Sequence, residues 1–200
     1  FEMGSGSTED GETLSNWDFD GWIGTDETKL WLKSAGERTD GVTESADFWA
    51  MYSASIDTFW DFQIGIRHAT QAEALTYGVV GLEGLAPYLF ETQAHLLVSE
   101  DNDISAILRQ ENEFLVTQKL IFRPYVELQF FAQNVAELGV GSGLSNAELG
   151  VQTRYEISRA FAPYIDLSYQ RSFGKTAQFA RSHGDARGAF VATLGVALLF

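Results

Sequence analysis

The dominant feature of the 200-residue chain is its period. Apolar and polar residues alternate every second position along nearly the whole length, and the 3.6-residue period of an amphipathic helix is almost absent. From Glu148 to Ser158, Leu149, Val151, Thr153, Tyr155 and Ile157 fall on one face. Glu148, Gln152, Arg154, Glu156 and Ser158 fall on the other. Asn16–Ile23 repeats the pattern, with Trp17, Phe19 and Ile23 against Asn16, Asp18 and Asp20. So do Tyr164–Gln170 and Ser105–Phe114. Successive side chains of a strand point to opposite faces, so a chain of this kind is built from half-buried strands.

Turn-forming residues fall between these runs at a regular beat. Short connections are expected near Thr25–Thr28, Ser55–Thr58, Gly84–Pro87, Thr117–Lys119 and Arg159–Pro163. Longer, polar or Gly-rich ones are expected at Ser5–Gly11, Arg38–Gly41, Ala69–Ala72, Glu100–Asp103, Ala136–Ser145 and Gly174–Gly188. The two kinds alternate and separate about twelve strands of roughly ten residues each, the length of a tilted membrane-crossing strand.

Two architectures answer to this pattern. A soluble sandwich or barrel turns its apolar face inward; an outer-membrane barrel turns it to the lipid and keeps a polar lumen. The mean hydropathy of −0.09 does not separate them, because half of every barrel strand is polar. Three observations favour the membrane. Aromatic residues gather at strand ends (Trp22, Trp31, Trp49, Trp60, Tyr88, Phe122, Tyr125, Phe161 and Tyr164), as in interfacial girdles. The apolar faces carry almost no charge. The last run puts Phe190, Ala192, Leu194, Val196 and Leu198 on one face and ends at Phe200. We therefore expect an all-β, closed antiparallel transmembrane outer-membrane β-barrel of about twelve strands, occupying residues 1–200 as a single domain, with both termini on the periplasmic side.

Composition removes other classes. There is no cysteine, so neither a disulfide framework nor a thiolate site is possible. The formal net charge of −15 leaves no basic footprint for nucleic acid. No apolar run approaches the length of a membrane helix, since Ala189–Phe200 is too short and contains Thr193. Catalysis is not expected. No Gly-x-Ser-x-Gly elbow surrounds a nucleophile, and Gly139–Leu144 reads as a flexible loop.

Seven segments carry a resemblance. They are GWIGTDETKLWLKSAGE (Gly21–Glu37), FWDFQIGIRH (Phe59–His68), GLAPYLFE (Gly84–Glu91), LVTQKLIFRP (Leu115–Pro124), GVGSGLSNAELGVQTRYE (Gly139–Glu156), AFAPYIDLSY (Ala160–Tyr169) and FGKTAQFAR (Phe173–Arg181). In this order they closely resemble the outer-membrane copper resistance protein B family (CopB/PcoB-like). The resemblance implies a Gram-negative outer-membrane barrel acting in copper resistance and metal homeostasis beside a periplasmic multicopper oxidase, with copper ion as the implied metal. It implies copper binding or passage across or at the membrane; the alternative is a structural or small-solute channel without a metal site of its own. The sequence departs from the family in three places. The family's Met- and His-rich segment before the barrel is absent here, either removed or disordered or lacking in this member. The usual Gly-Thr-Ala-Asp run is Lys175-Thr176-Ala177-Gln178, and the end is Leu198-Leu199-Phe200 rather than a pair of aromatics.

Copper(I) takes thioether and imidazole, copper(II) imidazole and carboxylate. The candidates are His95 with Glu91 on one strand face, Met51 beside Asp47 and Trp49, and His68 at a strand end; His183 reads as a solvated loop residue. No pair has ligand spacing within one strand, so any site must assemble across strands. A structural reading stands beside this one: His95 in a lumen hydrogen-bond network and Met51 packed in a narrow lumen. The other lumen candidates are charged, namely Asp18, Asp20, Lys29, Lys33, Glu37, Asp61, Arg67, Arg109, Glu111, Glu113, Glu127, Glu148, Arg154, Glu156 and Asp166. They form either a salt-bridged plug or an acidic cation path. Arg109, Arg154 and Arg67 are expected to pair with carboxylates such as Glu111, Glu113, Glu127, Glu156 and Asp61.

Overall fold

Alternation along each strand forces one face to be apolar and the other polar, and only a sheet closed on itself gives both faces a consistent environment without leaving an edge. The computed structural model, which describes residues 1–8, 13–39, 42–70, 74–183 and 186–198, is such a sheet. Its strands are β1 (Glu2–Thr8), β2 (Thr13–Gly24), β3 (Thr28–Thr39), β4 (Val42–Asp57), β5 (Trp60–Ala69), β6 (Leu75–Ala86) and β7 (Phe90–Ser99). There follow β8 (Ile104–Glu111), β9 (Phe114–Leu115), β10 (Leu120–Phe131), β11 (Gly143–Tyr155), β12 (Phe161–Ser172) and β13 (Gly188–Leu198). A helix, α1 (Thr176–His183), lies between β12 and β13.

Every neighbour pairing is antiparallel. β1 pairs with both β2 and β13, and β10 with both β8 and β11, so the sheet closes. β9 prolongs β8 along the same partner, β10, which makes the ring twelve strands around. The Phe1 ammonium donates to the Leu198 carbonyl at 3.0 Å, so the two ends of the described chain meet at one rim. That rim also carries the five short connections, after β2, β4, β6, β9 and β11. The opposite rim carries the two clearly longer connections, between β10 and β11 and between β12 and β13. Its other connections, such as that between β7 and β8, are no longer than those of the first rim, so the expected alternation of lengths holds only in part. Gly174–Gly188, read as a loop, contains α1. The anticipated role of Phe200 lies outside the described residues.

The outward faces expose large apolar side chains in an unbroken band. Leu30 and Leu32 on β3, Ile64 and Ile66 on β5, Leu96 and Val98 on β7, Ile165 and Leu167 on β12, and Phe190 and Leu194 on β13 all belong to it. Such a surface would aggregate in water and is matched to hydrocarbon. At the short-turn rim, aromatic side chains ring the band: Phe59, Tyr88, Phe90, Phe114, Tyr155 and Phe161, whereas Trp22, on the same face of β2 as Asp18 and Asp20, packs beside Trp31 inside the rim. Towards the other rim Tyr169 and Phe190 pack with ring centroids 4.7 Å apart. A strand of twelve residues, such as β2, β3, β6, β10 or β12, tilted by about 40° rises roughly 30 Å, enough for the apolar band of a membrane barrel. No helix among the described residues is long and apolar enough to cross a membrane.

Twelve strands enclose an intermediate lumen. About eight strands can be filled by side chains, and sixteen to eighteen leave an open channel. The interior here is filled on one side only. Met51 (1% exposed), Val79, Tyr77 and Leu97 pack against Trp31, Trp49 and Ile107 in a dry sector lined by β3 to β8. The rest of the interior is lined by charged side chains around open space.

Candidate functional site: the charged lumen

Register decides which charges meet. Asp20 faces Lys33, Trp49 faces Arg67, Gln93 faces Arg109, Arg109 faces Glu127, and Glu127 faces Glu148, all on the inward side. Adjacent strands lie about 4.8 Å apart, so inward side chains on neighbouring strands reach one another directly. The Arg109 guanidinium donates through Nε and Nη2 to Glu111 Oε2 (3.1 Å each), with Nη1 3.5 Å from Glu127 Oε2. Arg154 Nη2 lies 2.8 Å from Glu113 Oε1. Arg123 reaches Glu113 (3.3 Å), Glu111 (3.7 Å) and Glu2 (4.0 Å). Lys29 pairs with Asp61 (3.2 Å) and Lys33 with Glu83 (3.4 Å). Each cation on the packed side also covers an aromatic ring: Lys29 over Trp22, Lys33 over Trp31, and Arg67 over Trp49 and Tyr77.

The expected pairs of Arg109 and Arg154 are present. Two expectations are corrected. Arg67 Nη2 pairs with Asp47 at 2.6 Å, not with Asp61. Arg67 and Asp61 share β5, six residues and therefore about 20 Å apart, beyond side-chain reach. Glu156 lies past the end of β11 in the turn, where its backbone N–H donates to the Lys119 carbonyl, and it enters no ion pair among the described residues.

Two cavities occupy the lumen. The larger, about 750 Å³, extends along the lumen from Phe1 and Glu113 to Glu37 and Ser45. Carboxylates line it from nearly every strand: Glu2, Asp18, Asp20, Glu37, Asp47, Glu83, Glu91, Glu111, Glu113, Glu127, Glu148 and Asp166. Its cations are Lys33, Arg109, Arg123 and Arg154. Among the described residues Asp18, Asp20, Glu91, Glu148 and Asp166 enter no ion pair. The smaller cavity, about 600 Å³, lies under α1 at the long-loop rim and is lined by Arg67, Tyr77, Gln129, Arg171, Phe179 and Ala180, among others. Glu127, Glu148 and Gln170 line both. The lumen is thus a pair of chambers that meet at an acidic waist, with Arg109 held against Glu127 at that waist.

The helix is tied down over the upper chamber. Thr176 Oγ1 accepts from the Gly141 N–H at 2.9 Å, and Ser145 Oγ donates to the Gly141 carbonyl at 2.8 Å. His183 is the last residue of α1, and its side chain lies outside the described residues.

The four proposed copper ligands do not converge. His95 is 6% exposed, in hydrogen-bond contact through Nε2 with Gln63 Oε1 (2.9 Å), its ring 5.6 Å from that of Trp49. Glu91 shares its inward face but sits four residues away along β7, beside Glu111 rather than His95. Met51 belongs to the dry sector, opposite Gly65 and Trp31. His68 is exposed on the outer face near the long-loop rim, its Nδ1 3.1 Å from Thr76 Oγ1. Among the described residues no three His, Asp or Glu side chains are grouped closely enough to hold a bare metal ion. Lumen residues that sequence reasoning passed over are Glu2, Glu83 and Arg123. Four aromatics read as interfacial girdle are corrected: Trp31, Trp49, Tyr125 and Tyr164 face the lumen, because they share strand faces with the inward charged residues. Parity from Glu127, counted back by twos, finds Tyr125 and Arg123. Glu83 is hidden because both faces of β6 are apolar above it.

A closed sheet with an apolar outer band, aromatic rims and an ion-paired, partly filled lumen defines a transmembrane β-barrel of the outer-membrane type. The same architecture occurs in NanC porin (TM-score 0.68, 12% identity, 100% of this chain and 99% of that one). It occurs also in KdgM porin (TM-score 0.64, 9% identity, 100% and 98%). At these identities the likeness is one of fold. Residues 1–200 match the family described as Copper resistance protein B precursor (CopB), and the chain belongs to that family. It is 37% identical over 186 residues to Copper resistance protein B of Escherichia coli, covering 92% of this chain and 63% of that protein. It is 37% identical over 192 residues to the Copper resistance protein B homolog of Pseudomonas syringae pv. tomato (strain ATCC BAA-871 / DC3000), covering 96% and 65%. The chain therefore spans just under two thirds of the length of these relatives.

Proposed function

We propose that this chain is an outer-membrane barrel of copper resistance, and that its lumen gathers cations and passes them through the acidic waist without catalysing a reaction. The observation that carries this reading is the charge of the larger chamber, where, among the described residues, twelve carboxylates face four cations and five of the carboxylates enter no ion pair. A low-dielectric wall with an excess of one sign concentrates the opposite ion. The same excess disfavours anionic solutes. KdgM porin, which shares the fold, has been solved in complex with disordered oligogalacturonate, a ligand this lumen would repel.

Copper enters through the family. Its release to a periplasmic multicopper oxidase is part of the same proposal, and the short-turn rim, which carries both ends of the described chain, is the side assigned to the periplasm. Two measurements test the reading. In planar bilayers with a salt gradient, the zero-current potential is expected to have the sign of cation preference; anion preference or none would end the cation path. In detergent, copper titration of the 200-residue chain distinguishes the alternatives. Saturable binding weakened by His95→Ala supports copper handling within the barrel. No saturable binding, with no effect of His95→Ala, favours a structural or small-solute channel without its own metal site.

A further inference from the structure

We propose that the lumen carries a resident site for a hydrated hard divalent cation of the calcium type, formed by Asp166, Glu148, Glu2 and the side-chain oxygen of Gln152. It rests on the same acidic lumen as the cation path, but names a binding station and an ion class that the path does not require.

The neutral donors of the site leave acceptors unsatisfied, and the cation opposite Gln152 in register, Arg123, is ion-paired to Glu111 and Glu113. The Tyr125 hydroxyl lies 2.9 Å from Glu148 Oε1 and 3.1 Å from Asp166 Oδ1. A phenol has one proton to donate, so it satisfies one of these carboxylates at a time. Gln152 stands opposite Asp166 in register and donates its Nε2 to Glu2 Oε2 at 2.8 Å. That bond fixes the amide, because a carboxylate accepts only from the nitrogen. The Gln152 Oε1 is left buried with no partner, on a side chain only 7% exposed. Buried acceptors of this kind are nearly always satisfied, and one that is not calls for an explanation such as an ion. Glu2 in turn faces Asp18, and Asn16 Oδ1, on the same strand as Asp18, is buried and unpartnered as well. Arg123, the cation ion-paired to this group, lies 4.0 Å from Glu2 and is shared with Glu111 and Glu113.

Every available ligand is oxygen, which selects a hard cation; the thioether of Met51 and the imidazole of His95 lie in the packed sector. The carboxylates are not close enough to strip an ion of its water, so the ion keeps part of its hydration shell. Calcium, with its variable coordination number, tolerates this better than an ion that demands a strict octahedron. Two glycines keep the space open. A Cβ at Gly150 would enter the Tyr125 ring, and one at Gly195 would enter the Tyr164 ring. Both rings therefore lie against the wall and leave the chamber in front of them free.

The test is calcium titration of the full chain in detergent after chelator treatment, by calorimetry, with magnesium and copper(I) as separate arms. Saturable binding of one calcium per barrel is expected, weakened at least about tenfold by Asp166→Asn and by Gln152→Leu. Gln152→Glu, which keeps the shape and adds a charge, is expected to bind at least about tenfold tighter. His95→Ala is expected to leave calcium binding unchanged. Folding of each variant is verified by the heat-dependent shift in electrophoretic migration. The proposal is overturned by absence of saturable calcium or magnesium binding, by copper(I) as the preferred ion at these residues, or by Asp166→Asn and Gln152→Glu that fold and bind as the parent does. The zero-current potential is measured independently: its failure bears on the cation path, and that of the calcium titration on this site.

Discussion

Replacing Arg109 tests the waist directly. Its guanidinium binds Glu111 twice at 3.1 Å, approaches Glu127 to 3.5 Å and lies 5.1 Å from the centre of the Tyr125 ring. Glu127 lines both chambers, so the pair stands on the proposed ion path. Removing one positive charge about 5 Å from the path changes the energy of a passing monovalent cation by roughly 0.8 kcal/mol at the dielectric of water, about a fourfold rise in occupancy. Arg109→Gln removes the charge and keeps much of the volume. Arg109→Ala removes both. Single-barrel conductance and zero-current potential are recorded in planar bilayers at about 0.1 M salt, where screening extends to roughly 10 Å. Both variants are expected to shift the potential towards cations by a comparable amount, whereas only Arg109→Ala raises conductance appreciably. Unchanged potentials in both variants, with unchanged conductance in Arg109→Ala, would show that ions do not pass this residue and that the waist is misassigned.

Other outcomes follow from the same geometry. Leu194→Arg places a charge on the outward face of β13, where Leu194 is 64% exposed; a loss of about 2–4 kcal/mol is expected for such a residue near mid-membrane, read as reduced folding into lipid vesicles against urea. His95→Ala leaves Gln63 Oε1 without its partner at 2.9 Å and is expected to cost about 1–3 kcal/mol in the same assay. Asp47→Ala strips Arg67 of its carboxylate and is expected to be more harmful than Arg67 and Asp47 replaced together, a comparison made by double-mutant cycle. Gly141→Val has no room beside Lys175 and Thr176; it is expected to displace α1 and raise conductance without altering ion preference.

The architecture was legible in the sequence because it is set locally. A period of two fixes strands and their faces, and the beat of turn residues fixes their number and the two rims. The inward position of Asp18, Lys33, Glu91, His95, Arg109 and Asp166 follows from the same parity. Local pattern fails where the two faces are chemically alike. Val79 and Leu97 point into the lumen beside Met51, yet their apolar side chains read no differently from those that face lipid, so of the packed sector only Met51, through the face it shares with Asp47, was legible in advance. It fails also for α1, whose eight residues are too short for a helical period to stand out and which is held through its first residue, Thr176, by Gly141 from a separate loop.

Partnership was decided only by the closed barrel. Which carboxylate meets which arginine depends on register, a property of two strands and, through closure, of all twelve. Asp47 rather than Asp61 holds Arg67 because β4 brings it alongside, whereas Asp61 is displaced along the same strand. His95, Glu91, Met51 and His68 offer suitable copper ligands as residue types, but the fold sends them to a buried network, an acidic wall, a dry sector and the outer face. Conversely Tyr125, Glu148, Asp166, Gln152 and Glu2 carry no motif, and come together because five inward side chains from four strands reach across one narrow lumen. Sequence determines which side of the wall a residue is on; the circumference and stagger of the barrel determine what it faces.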